Sequence, residues 1–269
     1  MSPLQAVVLS LVQAVTEFLP ISSSGHLILI PYFMGWPDQG LSFDIATNTG
    51  TLLAVMVYFR RELADLVTGF ITGRQGQEEW QPRRFAWALV LATVPAAVFG
   101  LLFHHRIATQ ARNPILIAST AVFYGLLLLF ADRVGREERG LDTLGLREAL
   151  IIGMAQALAL VPGTSRSGIT ITAALLLGFT RTAAARFSFL LSVPVGILVA
   201  VYDLGKMVRE PQEPGQWSAT VIAIVVSGLA GYLVIGWLLA WLRQRRLTVF
   251  VVYRLLLAAA IVTTVVLRH

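Results

Sequence analysis

Residues 17–30 read EFLPISSSGHLILI: a carboxylate, a proline, a run of serines closed by glycine and a histidine, all inside an apolar stretch. Residues 162–170 read PGTSRSGIT and break a second apolar stretch in the same way. The two stretches run over residues 4–34 and 146–178. Each arm beside a break has roughly 10 to 16 residues, which at about 1.5 Å rise per residue reaches about 15 to 24 Å, short of the ~30 Å hydrocarbon core. Loop backbone at membrane depth is tolerated only when it is buried in protein or lines a wet cavity. Each stretch therefore reads as a re-entrant hairpin of helix, loop and helix.

The composition surrounding these hairpins is that of an integral membrane protein. Of 269 residues, 56% are hydrophobic and 13% charged, with a mean hydropathy of +0.73, whereas a soluble domain is about a quarter charged. Windows 85–103, 114–131, 187–202, 218–242 and 247–267 are long and apolar enough to cross a bilayer, which takes roughly 20 residues. A sixth, 43–59, is shorter and carries Asp44 and Asn48 near its start. The chain has no cysteine, which excludes disulfides and thiolate metal sites. The N-terminus lacks a basic region and a small-residue cleavage site, so no removable signal peptide is expected and Met1 is read as part of the mature fold. The net charge of +6 lies in short clusters between apolar spans, a pattern of membrane topology and not of nucleic-acid binding.

The hairpins also resemble each other. Gln13 precedes Pro20 much as Gln156 precedes Pro162, and a serine-rich loop ending in glycine follows in both. Further on, residues 50–55, GTLLAV, parallel residues 196–201, GILVAV. The fold class expected is an all-α membrane protein built as an inverted-topology repeat, each half one re-entrant hairpin plus three transmembrane helices. The halves are approximately residues 1–132 and 145–267 of a single transmembrane domain, 1–269. Three crossings are an odd number, so the second copy is inverted, its hairpin enters from the opposite face, and the two polar loops can meet near the midplane. Most of the Lys and Arg collect on one side, in clusters at Arg60 to Arg84, Arg133 to Arg147, Arg181 with Arg186, and Arg243 to Arg246; the other side has Arg106, Arg112, Lys206, Arg209 and Arg268. The rich side is expected to be cytoplasmic, which brings the first hairpin in from outside.

Ionisable groups inside a membrane cost about 2.5 to 3.5 kcal/mol each on insertion scales, so Glu17, His26 and Arg166 point to function. In the second loop, Pro162 and Gly163 end one helix, and Thr164, Ser165 and Ser167 lead into another whose free N–H groups point back into the loop. With the Arg166 guanidinium at its lip, that is an anion cradle suited to phosphate. The first loop supplies reactive groups: Glu17 as base or metal ligand, one of Ser22, Ser23 and Ser24 as nucleophile, with the central Ser23 preferred, and His26 as acid, base or phosphate contact.

The pair QAVTEFLPISSSGH (residues 13–26) and PGTSRSGIT (residues 162–170), with FD and GTLLAV between them, resembles the bacterial undecaprenyl-diphosphatase family, also called bacitracin-resistance proteins. The resemblance covers nearly the whole chain. It implies hydrolysis of undecaprenyl diphosphate to undecaprenyl phosphate and phosphate, which recycles the lipid carrier of cell-wall synthesis. It also implies a bacterial inner-membrane location, a site open to the periplasm, a divalent cation (Mg²⁺ or Ca²⁺) and a homodimer. By position, the acidic motif falls on Gln13 and Glu17, the serine and histidine on Ser23 and His26, and the arginine motif on Ser165, Arg166, Ser167 and Thr170. The first acidic position is Glu in many members and Gln13 here, so Glu17 must carry the base or metal role. Asn48 stands where many relatives have His or Gln, a polar lining position.

The catalytic set expected is thus Glu17, Ser23, His26 and Arg166, with Gln13, Ser22, Ser24, Gly163, Thr164, Ser165, Ser167 and Thr170 binding substrate and Glu17 as the metal ligand. Two mechanisms fit. Ser23 attacks the terminal phosphorus with help from His26 or Glu17, or Glu17 and a metal-bound water attack directly. Inverted repeats with paired hairpins also build transporters, so a polyprenyl-phosphate carrier or flippase is the rival function.

Overall fold

A computed structural model of the chain describes residues 1–72, 81–110, 113–209 and 217–268, without the side chains of Ser24, Leu41, residues 104–110, residues 203–209 and Arg268. The expectation for the Ser24 side chain lies outside what is described, as do the expected positions of Arg74 and Arg112 and of the side chains of Arg106, Lys206, Arg209 and Arg268.

The described chain is helical, with one isolated bridge between Arg139 and Phe179. Helix α1 runs Pro3–Phe18, α2 Ser23–Met34, α3 Leu41–Tyr58, α4 Arg60–Thr72, α5 Pro82–Gln110 and α6 Pro114–Val134. Helix α7 runs Leu146–Ala157, α8 Arg166–Leu176, α9 Arg181–Arg209, α10 Trp217–Leu242 and α11 Thr248–Arg268. Local chemistry sets several of the ends. Ser2 and Gln5 form a capping box around Pro3 at the start of α1, satisfying N–H groups that a helix leaves free. Asn113 caps α6 ahead of Pro114. Leu19 is extended, as suits the residue before a proline, and stops α1.

Five helices have the length and hydropathy to cross a membrane: Pro82–Phe103, Pro114–Val134, Arg181–Tyr202, Trp217–Leu242 and Thr248–Leu267. These coincide with the five apolar windows of the sequence, and the chain is a multi-pass membrane protein. Helices α1 and α2 are shorter and apolar, and both broken stretches are helix, break, helix. Helix α4 is an addition. Its polar residues Arg60, Arg61, Glu62 and Asp65 gave no apolar window, yet Leu66 and Gly69 are buried where α4 packs on α5.

Helix α10 packs on α1 and α3, α5 on α7 and α4, α6 on α11 and α8, and α9 on α3, α8 and α5. Lipid tails are as apolar as leucine, so close packing has to draw such helices together. Gly50 of α3 lies against the α10 backbone at Ile224 and Gly228, and Gly153 of α7 against the α5 backbone at Ala92. In the centre, Phe18 of α1 meets Phe189 of α9 edge to face at 5.4 Å, both buried. That aromatic contact sits directly after Glu17 and fixes the end of α1, from which the carboxylate projects.

Candidate active site

Two loops with the same backbone form the site. Ser22 precedes α2 with φ 75° and ψ 97°, and Ser165 precedes α8 with φ 72° and ψ 114°. Positive φ at a residue with a Cβ costs about 1–3 kcal/mol, and such strain clusters at functional sites. In each loop it turns the chain sharply, so that the next residue, Ser23 or Arg166, opens a helix whose first N–H groups have no intrahelical partner.

Both of those residues reach Glu17. The Ser23 hydroxyl donates to Glu17 Oε2 at 2.7 Å, and Arg166 Nη2 donates to Oε1 at 2.7 Å. Gln13, one helical turn before Glu17, donates from Nε2 to Oε2 at 3.1 Å and to Asn48 Oδ1 of α3 at 2.7 Å. The Arg166 and Glu17 side chains are 23% and 17% exposed, so the pair is neither sealed in nor at the surface. It opens on a cavity of about 280 Å³. The polar lining includes Glu17, Ser22, Ser23, Asn48, Ser165 and Arg166; the apolar lining comes mainly from Leu52 and Val55 of α3 and from Val195 and Val199 of α9.

The remaining expected residues are placed around this centre. Ser167 donates to the Leu19 carbonyl at 3.0 Å, tying the second loop to the first. Ser165 Oγ accepts from the Gly168 N–H and so caps α8. Gly163 has φ 85°, and its Cα lies where a Cβ would strike Thr120 and Ile117 of α6. Thr164 is fully buried, with its hydroxyl unpartnered among the described residues. Thr170 faces α9, sharing a 2.7 Å hydrogen bond with Ser188.

His26 is turned elsewhere. Its Nδ1 pairs with the Ser22 carbonyl at 2.7 Å and its Nε2 with the Tyr253 hydroxyl of α11 at 2.6 Å, the two rings stacked 5.5 Å apart. A carbonyl can only accept, so Nδ1 carries the proton in the neutral ring, and Nε2 accepts from Tyr253. The structure thus brings Gln13, Glu17, Ser23, Ser165 and Arg166 together and sets His26 behind Ser22. Sequence reading did not find Tyr253. Its neighbour Arg254 is a charge inside the apolar window 247–267.

Gln13 Oε1 is buried without a hydrogen-bond partner among the described residues. A hard oxygen acceptor one turn from a carboxylate suits a Mg²⁺- or Ca²⁺-type ion. Among the described residues no group of three or more His, Cys, Asp or Glu could hold a metal by itself. Any such ion would have to take most of its ligands from phosphate and water.

The chain is 49% identical over 263 residues to the undecaprenyl-diphosphatase of Magnetococcus marinus, covering 96% of this chain and 97% of that protein. It is 49% identical over 255 residues to the undecaprenyl-diphosphatase of Thioalkalivibrio sulfidiphilus, covering 95% and 96%. The sequence model of the family described as bacitracin resistance protein BacA matches residues 6–260, and the chain belongs to that family.

Proposed function

We propose that this chain is a membrane phosphatase that hydrolyses undecaprenyl diphosphate to undecaprenyl phosphate and inorganic phosphate, recycling the lipid carrier of cell-wall synthesis. Its relatives carry that name at 49% identity over most of their length. The observation that carries the reading is the Glu17 carboxylate held between the Ser23 hydroxyl and the Arg166 guanidinium at the mouth of a cavity that also has apolar walls.

The prenyl chain lies along the apolar side chains of α3 and α9, and the diphosphate reaches the loops. Arg166 and the N-termini of α2 and α8 hold phosphate oxygens and offset the charge that builds as the anhydride opens. Glu17 accepts the Ser23 proton as Ser23 Oγ bonds to the terminal phosphorus. The bond from that phosphorus to the bridging oxygen breaks, and undecaprenyl phosphate leaves. Water then attacks the phosphoserine, releasing inorganic phosphate and restoring the hydroxyl. The 2.7 Å contact between Ser23 and Glu17 favours Glu17 over His26 as the base; His26 orders the Ser22 carbonyl beside it. Glu17 and the Gln13 amide oxygen would hold a divalent cation, which when bound would add positive charge beside the phosphates.

The inverted repeat belongs to the same reading. Ser22 and Ser165 match in backbone and in place; α1 packs on α10 as α7 packs on α5, and α3 meets α9 as α6 meets α11. The arginine distribution supports a first hairpin that enters from outside, and with the resemblance it favours an inner-membrane protein whose site faces the periplasm. A homodimer follows from the resemblance alone.

The test is phosphate release from undecaprenyl diphosphate by the detergent-solubilised protein. Ser23→Ala and Arg166→Ala should each lower the rate by about 100-fold or more. Unchanged release in both variants, or lipid transport in sealed vesicles with no hydrolysis, would replace this reading with the carrier.

A further inference from the structure

Arg254 lies within α11 and is fully buried. Among the described residues it has no carboxylate partner. All of its hydrogen bonds go to backbone carbonyls of three separate segments. Nε donates to Ala121 at 3.1 Å and Nη2 to Thr120 at 3.3 Å, both on α6. Nη2 also donates to Gly163 and Thr164 of the second loop, each at 3.1 Å. Nη1 donates to Pro20 of the first loop at 3.4 Å.

The acceptors explain why a charge is buried here. Carbonyls in a helix break have no i+4 N–H to bond, and at membrane depth there is little water to take its place. Both loops have such carbonyls, and both point them at one spot. A guanidinium meets them with donors fanned in a plane; a lysine ammonium would bring the same charge as a single point, and a neutral side chain too few donors. The packing is shaped to this group. A Cβ on Gly168 would stand 3.1 Å from both Arg254 Nη1 and Ser165 Oγ, closer than ordinary contact.

The carbonyls it holds lead directly to the reactive groups. Pro20 is followed in the chain by Ile21, Ser22 and Ser23, and Thr164 by Ser165 and Arg166. We propose that Arg254 is a positioning residue: by clamping the backbones of both loops to α11 and α6, it sets the register in which Ser23 and Arg166 reach opposite oxygens of Glu17. It makes no hydrogen bond to Glu17 among the described residues and does not line the cavity. Its influence runs through the loop backbones.

The rate readout rests on the phosphatase reading, whereas the loop readout does not. Arg254→Lys and Arg254→Gln are purified as full-length protein in detergent and compared with wild type for kcat, KM and hydrogen–deuterium exchange in peptides covering residues 19–25 and 161–168. Loss of the clamp misplaces reacting groups, so kcat should fall about 100-fold with KM little changed, and both loop peptides should exchange faster while peptides from α5 and α10 stay protected. A residue that only stabilised the fold would lower protection throughout and leave the kcat of the folded fraction intact. Wild-type kcat in folded Arg254→Lys and Arg254→Gln, or a fall in kcat with both loops protected as in wild type, overturns the proposal. Should neither variant fold, Gly168→Ala carries the test: its methyl would press on Nη1 and equally on Ser165 of the second loop, so the first-loop peptide, residues 19–25, decides; faster exchange there supports the clamp and unchanged exchange there removes it. If wild type itself releases no phosphate, the functional reading fails and the exchange data alone decide the clamp.

Discussion

Ser22 and Ser165 hold the same strained backbone, φ 75° and 72°, at the same place in two loops far apart in sequence. In each case the next residue opens a helix and bonds to Glu17. One loop geometry is therefore used twice, and the different side chains that follow it divide the work between a hydroxyl and a cation.

That backbone predicts an unusual order of stability at Ser165. Alanine and glycine both remove the oxygen that caps the Gly168 N–H, but only glycine relieves the positive φ. Ser165→Ala should therefore melt lower than Ser165→Gly, by about 1 kcal/mol. Equal melting temperatures for the two would mean that the position carries no strain.

Glu17 makes a prediction about charge. Glu17→Gln keeps the shape of the side chain and can still meet the Ser23 hydroxyl, yet it neither accepts that proton nor neutralises Arg166. Loss of a general base is worth about 10² to 10⁴ in rate, so kcat for phosphate release should fall within that range. Arg166→Lys should also lose about 10², because an ammonium cannot reproduce the paired donors of a guanidinium. A lysine variant with wild-type kcat would show that the fork is not used.

Much of this arrangement can be read from the chain itself. Proline and glycine beside serine runs, with arms too short to cross, mark both breaks, and Glu17 and Arg166 stand out as charges in apolar surroundings. The five long helices follow from hydropathy alone. What could not be read depends on partners brought from a distance. His26 lies three residues past Ser23, close enough on a helix to suggest a shared task, but its ring is taken by Tyr253 from the last helix. Arg254 resembles any intramembrane arginine until the carbonyls of both loops are seen around it. Helix α4 is hidden in the sequence because charged residues dominate its average and only Leu66 and Gly69 of its face are buried, while Val67 and Ile71 are exposed.

The glycines of α3 and α6 predict contrasting tolerances. A Cβ at Gly50 would lie 2.5 Å from the Ile224 carbonyl of α10, and backbone cannot move aside cheaply. At Gly125 the nearest atoms belong to Arg254, no closer than 3.6 Å. Gly50→Ala should therefore destabilise by about 1–3 kcal/mol, whereas Gly125→Ala should melt close to wild type. Thermal unfolding in detergent measures both, and a reversed order would contradict the close packing of α3 on α10.

Gln13 offers a test of the cation that does not require removing a catalytic group. Among the described residues its Oε1 is buried and unpartnered, while its Nε2 bridges Glu17 and Asn48. Replacing it with glutamate adds a second hard anionic ligand one turn from Glu17, and affinity at such sites rises with the number of charged ligands. Without a cation, the same change sets two carboxylates against each other and removes the donor to Asn48. The two effects separate by titration. Gln13→Glu should need about tenfold less Mg²⁺ or Ca²⁺ for half-maximal phosphate release, and in chelator it should unfold at a lower temperature than wild type. A cation requirement that does not move, with the chelator-dependent destabilisation still present, would place the ion on the substrate phosphates and away from Gln13.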